Sequence, residues 1–183
     1  MEIIFIRHAE KKEKNGDVGL SKKGIKQARN LTKKLKKECF NEVYCSNLKR
    51  AIETANIISK KLSIPLKIDP ALNEVSSSLL KKDRKKWTKK ERKEYNKLKN
   101  FLDKLTKNPR KNKRILIISH GNAIRLCISI LLELNPKNLI RLRLSDTGIS
   151  EVYWMEKFKN WRLKYWNSTC HQPKELIEGK NKY

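Results

Sequence analysis

The sequence is short of acidic residues and cysteines, and it has no long apolar run. Its 19 Asp and Glu residues stand against 45 Lys and Arg, a formal net charge of +26. The four cysteines show neither CxxC nor Cys/His spacing, so the sequence offers no recognisable zinc site. No apolar run approaches the roughly 20 residues that span a bilayer, which argues against a transmembrane helix and a membrane partner.

The same features predict a cytoplasmic protein. No signal segment precedes the first predicted strand, which begins almost at the first residue. The cysteines, at positions 39, 45, 127 and 170, are most simply interpreted as reduced thiols, although sequence alone leaves a disulfide open. We therefore expect an intracellular protein with a reduced thiol content.

The length of 183 residues predicts one domain that spans residues 1–183. Hydrophobic residues make up 38% of the chain, which is enough for a packed core, and they fall in periodic blocks. Charged residues make up 35%, so the exterior is heavily solvated. The sequence leaves the oligomeric state open.

The positive charge favours anionic partners, because it raises the local concentration of phosphate esters, nucleic acids and acidic proteins. Lysine enrichment also occurs in thermophilic proteins, but these usually balance it with glutamate. Here glutamate does not keep pace with lysine. A specific anionic partner and a general lysine bias therefore both remain as interpretations.

Half of the excess charge lies in one segment, which begins at Lys81 and ends at Arg114. It holds 17 Lys and Arg but only 4 Asp and Glu, a net charge of +13. Apolar residues at 95, 98, 102 and 105 recur at helical spacing, which predicts an amphipathic helix. We therefore expect a basic helical insert over about residues 76–113, placed over the mouth of a site, where it is able to contact polyanions or nucleic acid non-specifically.

Alternating strands and helices predict an α/β fold. Strands are expected at 2–6, 42–45, 66–68, 114–119, 149–155 and 161–166. Helices are expected over 22–38 with Ser21 as N-cap, after Ser46 or Asn47, and over 122–134. The last two strands resemble an antiparallel pair. The prediction is a three-layer sandwich, with a mainly parallel central sheet flanked by helices.

Two of the three histidines share one context. His8 and His120 each follow a strongly apolar predicted strand, where open α/β sheets bind ligands. Two unrelated core or surface histidines are the alternative, but their equivalent positions favour a paired role. An imidazole is a competent nucleophile toward phosphorus when a neighbouring group fixes its tautomer.

Two arginines stand near these histidines in a chain dominated by lysine. Arg7 directly precedes His8, and Arg50 begins the helical run after the second strand. A guanidinium group binds phosphate oxygens with two parallel hydrogen bonds, which lysine cannot do. Solvated surface charge is the alternative, and it fits Arg50 better than Arg7.

Five segments resemble the histidine phosphatase superfamily, which includes phosphoglycerate mutases. They are IRHAEKK (6–12), GLSKKGIKQA (19–28), YCSNLKRAIETA (44–55), ALNE (71–74) and ISHGNAIR (118–125). They occur in the order of the family at compatible spacing. Together they cover most of the chain except the basic insert and parts of the C-terminal region.

The resemblance implies a role for each matching residue. His8 is similar to the histidine that becomes phosphorylated, and Arg7 and Arg50 are similar to the two arginines that bind the transferred phosphate. His120 is similar to the second histidine, which donates to the phosphoryl oxygens. Glu74 falls where many members have the acid that protonates the leaving alcohol. The resemblance implies that no metal or other cofactor is needed.

The sequence departs from the family pattern after Glu74, where VSSSLLKKDRKK lacks the Gly and Trp-Glu-Gly elements of several phosphatases. The acid and the substrate pocket are therefore left open. We interpret Ser46 as an N-cap and not as a reactive serine. Gly24 permits close helix packing, and Asn167 and His171 are interpreted as structural.

The sequence predicts a metal-independent phosphatase that hydrolyses phosphomonoesters through phosphohistidine at His8. Its substrate is expected to be a phosphorylated small molecule or phosphoprotein. One alternative is a phosphoglycerate-type phosphomutase. The other is a basic nucleic-acid-binding protein on a phosphatase fold, suggested by Trp87 and Tyr95 among the lysines of the insert.

Overall fold

Six strands form one sheet in the computed structural model, which describes residues 1–13 and 15–177. They are β1 (Glu2–Arg7), β2 (Glu42–Cys45), β3 (Leu66–Ile68), β4 (Arg114–Ser119), β5 (Ile149–Met155) and β6 (Asn160–Ser168). Their order across the sheet is β3-β2-β4-β1-β5-β6. β1 to β4 pair in parallel, whereas β5 is antiparallel to both β1 and β6. The mainly parallel sheet and the antiparallel C-terminal pair are both confirmed.

Five helices flank the sheet: α1 (Lys22–Leu35), α2 (Lys49–Leu62), α3 (Lys89–Thr106), α4 (Gly121–Leu131) and the short α5 (Pro136–Leu139). Apolar residues of α1 and α2 share one buried cluster with Ile4 and Ile6 of β1. Those of α3 and α4 share another with Ile3 and Phe5. Since alternate side chains of a strand point to opposite faces, helices cover both faces, and the three-layer prediction is confirmed.

The helix boundaries differ from the prediction in detail. The Ser21 hydroxyl accepts a hydrogen bond from the Gly24 N–H at 2.9 Å, so the predicted N-cap of α1 is confirmed. The N-cap of α2 is Leu48, whose side chain makes no capping bond. The prediction that Ser46 or Asn47 caps this helix is wrong, because the Ser46 side chain is engaged elsewhere.

The basic segment contains a helix, as its periodicity predicts. Two 3-10 turns, Ser77–Leu80 and Arg84–Lys86, lead into α3. Thr88 and Glu91 form a capping box at its start. Leu98 and Leu102 are fully buried in the core, while most lysines and arginines of the segment are exposed. No helix among the described residues is both long and apolar enough to cross a membrane.

Candidate functional site

His8 and His120 lie side by side at the carboxyl ends of β1 and β4. These strands pair in parallel, with Arg7 opposite Ser119, so the residues that follow them emerge together. The centroids of the two imidazole rings are 5.0 Å apart. Both side chains are buried, with 5% of His8 and none of His120 exposed. The structure therefore brings together the two histidines that the sequence paired.

The hydrogen bonds of His8 determine its tautomer. Nδ1 lies 2.8 Å from the Ala9 carbonyl oxygen, which can only accept, so Nδ1 carries the proton. Nε2 therefore has a lone pair, and it accepts a hydrogen bond from Nε of Arg50 at 3.1 Å. Burial, with the positive charges of nearby groups including His120 and Arg7, holds the His8 pKa well below its usual value. His8 is thus a neutral imidazole whose free nitrogen is Nε2.

Both arginines line the pocket that His8 lines, and each is held by other contacts. Arg7 donates from Nη1 to the Leu144 carbonyl oxygen at 2.6 Å, and its Nη2 lies 3.2 Å from an Asp146 carboxylate oxygen. Arg50 Nη1 lies 3.8 Å from an Asp17 carboxylate oxygen. Two guanidinium groups are therefore fixed beside His8, and each also has a carboxylate partner.

Glu74 lies beside the N-terminus of α4, and its side chain lines the same pocket as His8. Its Oε1 accepts hydrogen bonds from the backbone N–H groups of Val75, Asn122 and Ala123 at 3.1–3.2 Å. Its side chain keeps exposed surface toward the pocket, although protein atoms enclose it on the other sides. This burial raises the pKa of Glu74, against the opposing effect of the backbone donors and Arg7.

One ring nitrogen of His120 has a hydrogen-bond partner, and the other has none among the described residues. Its Nε2 lies 2.8 Å from the hydroxyl oxygen of Ser46. Its Nδ1 is buried, and no described residue forms a hydrogen bond with it. Burial, with the charges of Arg50 and Arg7, lowers the His120 pKa to about 3. A neutral second imidazole therefore lies beside His8, and its buried Nδ1 has no hydrogen-bond partner among the described residues.

These groups border a pocket of about 420 Å³. Four of the five predicted site residues line it, whereas His120, which is fully buried, does not. The other lining residues are Glu10, Lys11, Lys12, Glu13, Gly16 and Asp146. None of the described residues that line it belongs to the segment 76–113, so the predicted place of the insert over the site is not confirmed. The insert instead borders a separate, larger cleft of about 680 Å³, formed by residues 82–87 and 133–136.

The loop after β1 is held in place by polar contacts from α1 and α2. The Ala9 N–H donates to the Thr54 hydroxyl at 3.0 Å, and the Glu10 N–H donates to the Gln27 amide oxygen at 2.8 Å. A Cβ atom on Gly24 would overlap the carbonyl oxygen of Glu10. The close approach that the sequence predicted for Gly24 is therefore confirmed, and it fixes the backbone that follows His8.

The C-terminal residues Asn167 and His171 support the loop before β5. Asn167 accepts from the Ser145 N–H at 2.8 Å, next to the Asp146 carboxylate that pairs with Arg7. His171 lies outside the pocket lining and is 3.3 Å from the Thr147 hydroxyl. These contacts agree with the structural interpretation of both residues.

Sequence reasoning missed three polar residues of the site. Ser46 contacts His120, Asn73 contacts Ser46, and Asp146 pairs with Arg7. Ser46 and Asn73 stand inside the YCSNLKRAIETA and ALNE segments; Ser46 directly follows β2, and Asn73 follows the 3-10 turn Pro70–Leu72 after β3. Their position after these strands is the one signal that could have indicated them. The carboxylate of Asp146 gives no such signal, because it precedes its strand.

Three comparisons with known proteins agree on one family. The family model of the histidine phosphatase superfamily (branch 1) matches residues 3–105 and 81–169. A putative phosphoserine phosphatase 2 of Hydrogenobacter thermophilus is 28% identical over 178 residues, covering 85% of this chain and 86% of the relative. A 2,3-bisphosphoglycerate-dependent phosphoglycerate mutase of Bradyrhizobium diazoefficiens is 29% identical, covering 75% of this chain and 80% of the relative.

A solved structure gives the same result for the fold. The phosphoserine phosphatase of Entamoeba histolytica, in complex with 3-phosphoglyceric acid, is similar with a TM-score of 0.72 and 26% identity. The match covers 93% of this chain and 98% of that structure. The family match, the curated relatives and the fold agree with the resemblance seen in the sequence. The chain belongs to the histidine phosphatase superfamily.

Proposed function

We propose that this protein is a metal-independent phosphatase that hydrolyses phosphomonoesters through a phosphohistidine at Nε2 of His8. The observation that carries the proposal is the state of His8. Its Nδ1–H is held by the Ala9 carbonyl oxygen, so the lone pair is on Nε2, which contacts Arg50, and Arg7 lines the same pocket. A neutral imidazole with a fixed tautomer is the form that attacks phosphorus.

Substrate binding would exchange partners around Arg50. In the resting site its Nε–H donates to Nε2 of His8, which occupies the nucleophile's lone pair. A phosphoryl group that enters the pocket offers oxygen acceptors to both Arg50 and Arg7, with bidentate geometry. This exchange releases Nε2, which then attacks phosphorus while the P–O bond to the leaving group breaks.

Glu74 supplies the proton that the leaving oxygen needs. All three backbone donors reach Oε1, so Oε2 is the oxygen on which a proton can reside. The raised pKa favours the protonated form over that of an ordinary glutamate. In the second half of the reaction the carboxylate accepts a proton from water, which attacks phosphorus, breaks the N–P bond and releases phosphate.

The substrate is expected to be a small phosphorylated metabolite. The relatives are named for phosphoserine and phosphoglycerate, and both names describe alkyl phosphates with a carboxylate. A pocket of about 420 Å³ is large enough for a molecule of this size. Lys11 and Lys12 at its edge favour a substrate with a second negative charge.

The decisive test is turnover of p-nitrophenyl phosphate in the presence of a chelator, with trapping of the phosphoenzyme. The full chain should release p-nitrophenol and form an acid-labile phosphohistidine with a labelled substrate. His8→Ala should abolish both signals. His171→Gln, which changes a histidine outside the pocket lining, should keep both. Full turnover by His8→Ala would contradict the proposal.

A phosphomutase would share the phosphohistidine and return the phosphoryl group to another oxygen. The similarity to a phosphoglycerate mutase supports this alternative. It can be separated by supplying 3-phosphoglycerate with a bisphosphate primer and measuring both products. The phosphatase proposal expects phosphate release to exceed isomer formation, whereas the reverse would favour the mutase.

The exposed cations between residues 81 and 114 give a second property to test. Most of the lysines and arginines there face solvent, on the side of α3 opposite its buried leucines. Such a surface attracts polyanions without reading sequence. RNA binding should therefore be weak and lose affinity steeply with salt. Tight binding that discriminates between RNA sequences would instead favour a dedicated nucleic-acid function.

A further inference from the structure

A chain of hydrogen bonds leads from the backbone to His120. The Asn47 N–H lies 3.2 Å from Oδ1 of Asn73, and the Ser46 hydroxyl lies 2.8 Å from the same oxygen. Nε2 of His120 lies 2.8 Å from the Ser46 hydroxyl oxygen. Both Ser46 and His120 are fully buried, so no solvent competes for these contacts.

The direction of each bond follows from the first one. A backbone N–H can only donate, so the side-chain atom of Asn73 that it reaches must be the oxygen. That oxygen can only accept, so Ser46 donates its single hydroxyl proton to Asn73. The Ser46 oxygen then has only lone pairs left, and Nε2 of His120 must be the donor.

The Ser46 hydroxyl has no remaining capacity to form hydrogen bonds. Besides His120, it accepts from the Leu48 N–H at 3.1 Å, which fills both of its lone pairs. It cannot reverse its role toward His120 without breaking its bond to Asn73. Neutral His120 therefore carries its proton on Nε2, and Nδ1 is an unprotonated acceptor with no partner among the described residues.

We infer that Ser46, held by Asn73, is a positioning residue that keeps His120 in the Nε2–H tautomer and leaves Nδ1 for the phosphoryl group. The inference deepens the proposed function and rests on it for its role in catalysis. The tautomer itself rests only on the hydrogen-bond chain. Ser46 acts through His120 and does not line the pocket.

This tautomer has a chemical consequence for binding. A lone pair on Nδ1 repels the oxygens of a phosphate dianion. A hydrogen bond between Nδ1 and a phosphoryl oxygen therefore needs one added proton. A phosphate monoanion supplies it from its P–OH group, and the proton moves to Nδ1. No other bond changes in this step. His120 then donates from both nitrogens, to Ser46 and to the phosphoryl group, and its positive charge is neutralised by the dianion.

The tautomer can be read directly from ¹⁵N spectra of histidine-labelled full-length protein, because the chain has only three histidines. His171→Gln identifies one set of signals, and His8→Asn identifies another. In the ligand-free protein, His120 should show a protonated Nε2 and an unprotonated Nδ1. Saturation with inorganic phosphate should convert Nδ1 to the protonated form. Ligand-free protein that shows Nδ1–H and an unprotonated Nε2 would overturn the inference.

Variants of Ser46 test whether the position matters for turnover. In Ser46→Ala, Nε2 loses its acceptor, so we expect a mixture of tautomers and a fall in kcat of about 10- to 100-fold, larger than any change in KM. Ser46→Thr keeps the hydroxyl and should recover both the wild-type spectrum and most of the turnover. Ser77→Ala, an exposed serine outside the site, is the matched control and should behave as wild type.

The outcomes separate the inference from the proposed function. If wild-type protein lacks phosphatase turnover but shows the Nε2–H signal, the proposed function fails and the tautomer assignment stands. If wild-type protein is active but Ser46→Ala keeps both the wild-type spectrum and the wild-type kcat, the positioning role fails. Should Ser46→Ala not fold, Ser46→Thr and the wild-type spectrum still decide the tautomer.

Discussion

Replacing Glu74 with glutamine separates proton donation from the other contacts of this side chain. Its Oε1 accepts from the backbone N–H groups of Val75, Asn122 and Ala123, and glutamine keeps an oxygen in that place. The amide can neither give a proton to the leaving oxygen nor accept one from the attacking water, so proton transfer is lost in both half-reactions while the backbone contacts remain. General acid catalysis contributes about 100- to 10,000-fold, so kcat/KM for an alkyl phosphate, which reports phosphoryl transfer to His8, should fall by that factor.

The leaving group provides the internal control for Glu74→Gln. An alkoxide needs a proton as the P–O bond breaks, whereas p-nitrophenolate is stable without one. We therefore expect kcat/KM, which reports phosphoryl transfer to His8, to collapse for phosphoserine or 3-phosphoglycerate and to change little for p-nitrophenyl phosphate. Loss of the base slows the release of phosphate from His8 equally for both kinds of substrate. Steady-state kinetics on both substrates, with the same protein preparation, measure the difference. An equal loss of kcat/KM on both substrates would refute the role of Glu74 as acid, since it would indicate damage to phosphate binding instead.

The pH profile gives a second readout for the same variant. Burial raises the pKa of Glu74, and the acid must be protonated to act. Activity toward an alkyl phosphate is therefore present below this pKa and is lost as the pH rises through it. That loss should be absent from the residual activity of Glu74→Gln. If the variant keeps the wild-type profile, another group controls it.

Three further predictions concern binding, stability and packing. Arg50→Lys removes the Nε donor and the bidentate geometry, so kcat/KM should fall about 100- to 1,000-fold; steady-state kinetics that show less than a tenfold loss would contradict this. Burial lowers the pKa of His120 to about 3 and of His171 to about 4, below the 6.5 of an ordinary histidine. The unfolded state therefore binds more protons between these values, so the contribution of these two histidines to the free energy of unfolding, measured in urea, should level off above pH 6.5. It should fall by about 1.4 kcal/mol per histidine per pH unit as the pH drops from 6.5 to 5, and a flat profile there would be inconsistent with neutral buried histidines. Gly24→Ala places a methyl group against the Glu10 carbonyl and should destabilise the protein by about 1–3 kcal/mol in the same assay, unless the loop moves without cost.

The parts of the fold that the sequence predicts are those with a strong local pattern. β1 and β4 are runs of β-branched residues because helices cover both of their faces, and that burial leaves a continuous apolar signature. The ends of the same strands carry His8 and His120. Once the strands are recognised as parallel neighbours, the histidine pair follows from topology.

The parts that the sequence does not predict depend on contacts between distant segments. Ser46 is a good N-cap by residue type, and only its distance to Asn73 and His120 shows that its hydroxyl is used there. The spacing of Leu98 and Leu102 predicts which side of α3 is buried. It contains no information about where on the sheet that side packs, so the predicted place of the insert over the site had no physical basis in the pattern.

Under the proposed function, the charges of the resting site would make it selective for phosphate in so basic a protein. Each arginine already has a carboxylate partner, Arg7 with Asp146 and Arg50 with Asp17. A ligand must therefore compete with an internal anion for each guanidinium group, and a single carboxylate gains little by the exchange. A phosphoryl group has three oxygens, which can engage Arg7, Arg50 and, once its proton has moved to Nδ1, His120 together. We therefore propose that the site discriminates by the number of acceptors that one ligand offers, and that the large net charge of the chain contributes attraction but not selectivity.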